Sequence, residues 1–256
     1  MKKIVYACAA MVAAVSIASA DFTRLELGGG IWQQTPTGFA KRSDGDGALK
    51  LNGTYTSSEK KSDETYFWIN FKHPLPLIPN LRAEYVTIGD EGSTKGGGSV
   101  GGINIPVGAN ASTKIDTKQY DVIPYYNLLD NTFWLTLDLG IDVKLIETTV
   151  DVSPVTGFRG YSSSQSAVIP LVYLRTRVQI PTTDLGVEAD AKAITYNGNT
   201  VYDVRVKIDY TLEFVPVVQP AIEVGYRMQK LKIDDGTKAQ VDLDYKGVYA
   251  GLMLRF

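Results

Sequence analysis

The chain has 256 residues, with 26 Lys and Arg against 28 Asp and Glu and a formal net charge of −2. So even a balance leaves no basic footprint for nucleic acid. Its one cysteine, Cys8, lies in a segment expected to be removed, which excludes disulfides and Cys-type zinc sites from the remainder.

Residues 1–20 read as a secretory leader. Lys2-Lys3 form a basic start, Ile4 to Ile17 an apolar run, and Ala18-Ser19-Ala20 a cleavage site, so the expected product begins at Asp21. The apolar run is too short to cross a bilayer as a helix, and no other segment approaches ~20 apolar residues. Only four apolar residues precede Cys8, too few for a lipoprotein leader.

From residue 21 to 256 the chain reads as a single unit of strands and turns. Thr23 to Gln33 sets Leu25, Leu27, Gly29 and Ile31 against Arg24, Glu26, Gly28 and Gly30. Thr65–Lys72 and Leu81–Ile88 read as a strand pair about the proline-rich turn 74–80. Ser112–Tyr126 reads as a strand with Pro124 near its end. From Phe133 the alternation is strict. Phe133, Leu135, Leu137, Leu139, Ile141, Val143 and Leu145 oppose Trp134, Thr136, Asp138, Gly140, Asp142 and Lys144. That run exceeds the 9–11 residues a tilted strand needs to cross a membrane.

The pattern recurs toward the end of the chain. Val168, Val172, Leu174, Val178 and Ile180 oppose Tyr173, Arg175, Arg177 and Gln179, and a small face (Val187, Ala189, Ala191, Ala193) opposes Glu188, Asp190 and Lys192. Tyr202 to Phe214 alternates with Asp203, Arg205, Lys207, Asp209, Thr211 and Glu213. Ile222, Val224, Tyr226 and Met228 oppose Glu223, Gly225, Arg227 and Gln229, and a last strand carries Val248, Ala250, Leu252, Leu254 and Phe256. The sum is about ten strands. Short connections at 74–80, 128–132, 181–185 and 215–219 alternate with longer ones at 34–64, 89–112, 147–164 and 234–244. Asn197-Gly198-Asn199 is a hairpin turn on the long-loop side. The expectation is an all-β, antiparallel up-and-down transmembrane β-barrel.

Energetics then choose the faces. A basic residue facing lipid at mid-depth costs ~2–4 kcal/mol, so several per strand would exceed the ~5–15 kcal/mol that stabilises a typical fold. The charges must face the lumen. The expected lining comprises Asp138, Asp142, Lys144, Arg175, Arg177, Glu188, Asp190, Asp203, Arg205, Lys207, Asp209, Glu223 and Arg227. Mixed signs in a ten-stranded lumen imply a bonded plug more than a wide pore. Aromatics near the short turns (Tyr125, Tyr126, Phe133, Trp134) are expected to form an interfacial girdle.

No catalytic set is legible. The lone histidine, His73, sits in a proline-rich turn, so a His-dependent dyad or triad is not expected. Ser43-Asp44-Gly45-Asp46-Gly47 and Asp234-Asp235-Gly236 lack the calcium-loop spacing, and Gly96 to Gly102 lacks the ending of a phosphate loop. No cofactor or metal is expected. The expected role is non-enzymatic, structural or surface-interacting, with a narrow channel for ions or small solutes as the alternative and a His-independent enzyme behind it.

Tyr249-Ala250-Gly251-Leu252-Met253-Leu254-Arg255-Phe256 resembles the C-terminal insertion signal of bacterial outer-membrane β-barrels, with Tyr249, Gly251, Leu254 and Phe256 at the marked positions. Leu27-Gly28-Gly29-Gly30-Ile31-Trp32-Gln33 and His73-Pro74-Leu75-Pro76-Leu77-Ile78-Pro79-Asn80-Leu81-Arg82 resemble segments of a family of uncharacterised outer-membrane β-barrel proteins of Gram-negative bacteria. These resemblances imply the cell outer membrane as location. They imply as partners outer-membrane lipids and the barrel-assembly machinery, the latter through the last strand. A partner for the outer loops is unidentified, and no activity or site residue comes with the family.

Overall fold

The computed structural model describes residues 24–42, 48–50, 61–75, 77–95, 99–100, 103–104, 110–132, 134–153, 160–212, 218–234 and 239–256. The expected leader, the two acidic Gly turns in large part and most of the Gly96–Gly102 loop lie outside them.

Ten long strands form one antiparallel wall: β1 (Arg24–Arg42), β2 (Ser62–Lys72), β3 (Asn80–Lys95), β4 (Asn110–Thr132), β5 (Leu135–Val152), β6 (Tyr161–Gln179), β7 (Leu185–Tyr196), β8 (Asn199–Thr211), β9 (Gln219–Asp234) and β10 (Ala239–Arg255). Each pairs with its neighbour in sequence, and β10 returns to β1 from Glu26↔Arg255 to Arg42↔Ala239. The sheet is therefore a closed barrel. Two short pieces complete the described strands: Ala48–Lys50 against Phe39–Lys41, and Ser99–Val100 against Ile103–Asn104.

Alternation sorts the side chains into an exposed and a buried face. Ile141 is 57% exposed and Asp142 0%; Val224 is 55% exposed and Glu223 0%. Val172, Leu174, Val206, Ile208, Ile222, Val248 and Leu252 join the apolar exterior. A one-residue slip would reverse every such pair, so burial fixes the register.

Several expectations need correction. Residues 128–132 are not a turn but the irregular end of β4, whose pairing shifts between Asn127, Leu129 and Thr132. Trp134 does not begin the inward face of β5. It stands in the connection, exposed, with a φ of 66°. Tyr125 is not an interfacial residue; it is buried inside the barrel and donates to Asn70 Oδ1 at 2.7 Å. Tyr126 is exposed beside the 73–79 connection, its hydroxyl donating to the Leu77 carbonyl. Much of the expected loop at 34–64, 89–112, 147–164 and 234–244 is strand. Polar, Gly-containing sequence hid those extensions, because their ladders rest on backbone pairing and not on a buried face.

Two glycines are fixed by geometry. A Cβ on Gly28 would lie 2.7 Å from the Trp68 ring, so the indole occupies the space the glycine leaves. Asn197 and Gly198 both have positive φ (49° and 79°), the two-residue hairpin turn that matches strand twist. The connection 73–79 is closed from within: His73 N–H donates to Asn80 Oδ1 at 2.9 Å, and the imidazole lies 3.1 Å from the Pro79 carbonyl.

Candidate functional site

The barrel interior is filled by side chains that alternation turns inward. All thirteen expected lining residues are buried there, and Glu26, Arg82, Glu84, Asp121, Lys192 and Arg255 join them. Among the described residues the buried set holds ten carboxylates and nine cations, so the packed interior is nearly neutral.

Near the short-turn rim, Arg175 bridges Asp138 (2.7 Å) and Glu188 (2.8 Å). Arg177 grips Asp209 with both Nη1 (2.5 Å) and Nη2 (2.9 Å), the two-pronged geometry that suits a guanidinium to a carboxylate. Arg255 ties this layer to the closure seam, reaching Asp209 at 2.7 Å and Glu26 at 3.1 Å. Asp138 also accepts from the Asn127 side-chain amide.

The middle layer centres on Glu84. It accepts from Arg82 Nε (2.6 Å), Lys192 Nζ (2.6 Å) and Arg205 Nη2 (2.8 Å). Arg205 also donates through Nε to Asp190 at 3.0 Å, and Lys207 pairs with Glu223 at 2.8 Å. Farther from the termini, Lys192 and Lys144 share Asp121, while Arg227 and Gln229 hold Asp203 at 2.5 and 2.8 Å. Lys192 thus joins two layers.

Aromatic residues from β1, β2 and β10 complete the packing. Trp68 lies between Arg82 and Lys207, each 4.6 Å from its ring, and its Nε1 donates to Glu223 at 3.1 Å. Tyr66 donates to the same carboxylate at 2.8 Å and packs edge-on against Tyr249, 5.2 Å between centroids. Trp32 faces Arg227. Beyond the charges, Val86, Ile88, Ile115 and Tyr245 form an apolar layer with these rings.

Asp142 departs from the expected pairing. It is fully buried, yet neither carboxylate oxygen has a hydrogen-bond partner among the described residues. Arg82 Nη1 and Nη2 and Tyr173 Oη share that condition. Buried polar groups of this kind are ordinarily satisfied by ordered water. Two small clefts reach the plug from either end. One of about 170 Å³ is lined by Arg24, Trp134, Thr136, Arg177 and Gln179, and one of about 30 Å³ by residues including Lys144, Asp203, Gln229 and Tyr245.

The residues missed in the sequence sit on strands with weak alternation. Arg82 and Glu84 follow a proline-rich turn, Asp121 lies on a strand of unclear register, and Glu26 and Arg255 flank glycines and the chain terminus. Lys192 stood on the polar face of its strand; Asp203 faces it across the β7–β8 hairpin, while its closer partners Glu84 on β3 and Asp121 on β4 lie far away in sequence.

No family model and no curated protein matches the chain. Among solved structures, the chain is similar to the outer membrane protease OmpT from Escherichia coli. The identity is 13%, the TM-score 0.48, and the match covers 94% of this chain and 100% of that one. The translocator domain of the autotransporter NalP from Neisseria meningitidis matches at 12% identity and a TM-score of 0.46, over 100% and 96% of the two chains. Ail of Yersinia pestis matches at 10% and 0.35, over 92% and 99%. Likenesses this distant assign no activity, and the barrel stands on its own strand pairing.

Proposed function

We propose that this protein is an integral outer-membrane β-barrel of a Gram-negative bacterium, non-enzymatic, with a lumen closed by its own ion pairs and a structural or surface-interacting role. The apolar exterior supports the membrane. It alternates residue by residue with buried charges, an arrangement that water would penalise and hydrocarbon favours. The leader-like start and the resemblance of the last strand to an insertion signal support the compartment. Membership in the uncharacterised family rests on the two N-terminal motifs. On this reading the extended ends of β3 to β6 project from the outer face and carry the contacts with other molecules.

The observation that carries the closed lumen is the layered network around Glu84, Asp121 and Asp203, which spans the interior from β3 to β9. An ion crossing it would have to separate buried pairs, each separation leaving charges exposed to one another at a cost of ~3–5 kcal/mol. Planar-bilayer recording of the purified, refolded protein tests this. The expected trace is silent, and reproducible unitary steps altered by Arg205→Ala would replace the closed lumen with a narrow channel. The clefts at either end and the buried polar atoms of Asp142, Arg82 and Tyr173 without a hydrogen-bond partner among the described residues favour that second reading.

The proposal of no enzymatic activity draws on His73, whose ring is engaged in the 73–79 connection by Leu75 N–H and the Pro79 carbonyl. Unchanged lipid A acylation in a deletion strain is the expected outcome, and a changed pattern would revive a His-independent enzyme. The last strand is proposed as the contact for the barrel-assembly machinery.

A further inference from the structure

The wall of the barrel has a notch. β6 and β7 pair from Gly186↔Gln179 to Ala193↔Val172. Continued two residues, that register sets Thr195 against Pro170, which has no N–H to donate and stops the ladder. β7 then turns back at Asn197-Gly198, while β6 runs on beside β5 to Tyr161↔Val152. Residues 161–171 consequently have a strand partner on one side alone among the described residues. Ser164, Gln165, Ser166, Ala167 and Val168 are exposed in unbroken succession, so in a strand both faces are bare as well as the edge.

An open edge presents a row of backbone donors and acceptors to any strand that approaches, and proteins usually guard such edges with charge. The sequence of β3 beyond its last pair with β2, Tyr66↔Val86, is charged in this way and contains Asp90, Glu91 and Lys95. The edge of β6 has no such guard. From Tyr161 to Leu171 it contains four serines, one glutamine and no charged residue. Tyr196, 70% exposed, stands at the foot of the notch as an aromatic contact for whatever occupies it.

We infer that the free edge of β6 is a docking site for an extended polypeptide segment of another protein, which adds to the wall as a further strand. This rests on the surface-interaction reading above and names the partner's chemistry: backbone amides in extended form, short of proline, with no charge requirement. A second copy of this chain does not fit. Antiparallel pairing of two identical edges needs a two-fold axis perpendicular to the sheet. The sheet here is the barrel wall, so that axis lies in the membrane plane and inverts one barrel. A carbohydrate would bond the serine hydroxyls and leave the backbone edge open.

The test is hydrogen exchange read by mass spectrometry on the whole protein refolded in detergent micelles, where only a folded barrel is needed. Its failure is therefore separable from failure of the membrane or conductance readings. The probe is a synthetic uncharged Thr-Val repeat peptide, with the same peptide N-methylated at alternate residues as control. In the protein alone, amides of residues 162–168 directed away from β5 exchange freely; with the peptide they slow at least about tenfold. The N-methylated peptide has no such effect, and Ser164→Lys with Ser166→Lys, which copies the charged guard of β3, abolishes the protection. If that variant does not fold, the paired probes decide alone. Amides already protected in the free protein, no slowing, or equal slowing by both peptides would overturn the proposal. So would a dextran oligosaccharide that binds the wild type without amide protection and is lost in the lysine variant.

Discussion

Lys192 is the side chain on which two interior layers depend. Its ammonium contacts Glu84 at 2.6 Å and Asp121 at 2.5 Å and is completely buried. Lys192→Met leaves both carboxylates one cation short in a medium that cannot hydrate them. The expected loss is ~3–5 kcal/mol of stability, read as a lower urea midpoint for unfolding from micelles. Adding Glu84→Gln to that variant removes one of the stranded charges but also takes a partner from Arg82 and Arg205, so the double variant recovers only part of the loss. At Gly28 the issue is space. Gly28→Val drives a side chain into the Trp68 indole, whose own position is fixed by Glu223, Arg82 and Lys207, and the expected cost is ~1–3 kcal/mol.

At the scale of the element, the hairpin joining β7 and β8 depends on Gly198 in the left-handed region, φ 79°. Gly198→Ala is expected to cost ~1–2 kcal/mol, seen as slower or less complete refolding of the whole barrel. Pro170 has the opposite character: Pro170→Val restores a donor and lets β7 pair one residue or more past Val172, so the amide at 170 becomes exchange-protected. How much of this was legible in the chain depended on local alternation. β5, β6, β8 and β9 announce themselves because apolar and charged residues trade places without interruption, and their inward charges follow directly. β1 to β4 do not. Their inward face mixes Trp32, Trp68, Tyr66 and Tyr125 with Arg82, Glu84 and Asp121, so polarity no longer marks direction. Tyr249 and Gly251 illustrate the same limit. Read as parts of an insertion signal, they also have places inside the barrel, Tyr249 against Tyr66 and Gly251 beneath the Tyr66 hydroxyl. Leu254 and Phe256 are therefore the better positions for testing the signal. Phe256→Ala with an intact interior is expected to lower the amount of assembled protein in the membrane without changing the stability of what does assemble.

For the whole molecule, the proposed membrane location turns on whether the apolar exterior faces hydrocarbon. Spin labels at Leu139 and Val206, both outward and exposed, are expected to sense acyl chains by oxygen accessibility. Labels at Asp138 and Arg205 are expected not to, and the reverse result would invert the barrel. Beyond the apolar band the surface changes character. Lys230 pairs with Asp244 at 2.8 Å and Asp242 at 3.0 Å, and the Asp244 hydrogen bond leads in holding its ammonium pKa above the ordinary lysine value. β4, at 23 residues, is more than twice the length a tilted strand needs to cross a bilayer, and its far half continues in a tall ribbon of four strands with β3, β5 and β6.

Partners in the interior network are widely separated along the chain: Arg255 with Glu26, Arg205 with Glu84, Lys192 with both Glu84 and Asp121. The early hairpins carry part of their own counter-ions, Arg82 with Glu84, Lys144 with Asp121 and Arg175 with Asp138, but the further cations on Glu84 and Asp121 arrive only with β7 and β8. A fragment ending at β6 would keep Arg82 with Glu84 and Lys144 with Asp121 but lack Lys192, Arg205, Lys207, Arg227 and Arg255, five of the nine buried cations among the described residues. On the proposed reading, closure of the cylinder before its contents meet lipid is the expected order of assembly, and truncated products are expected to be cleared by proteases.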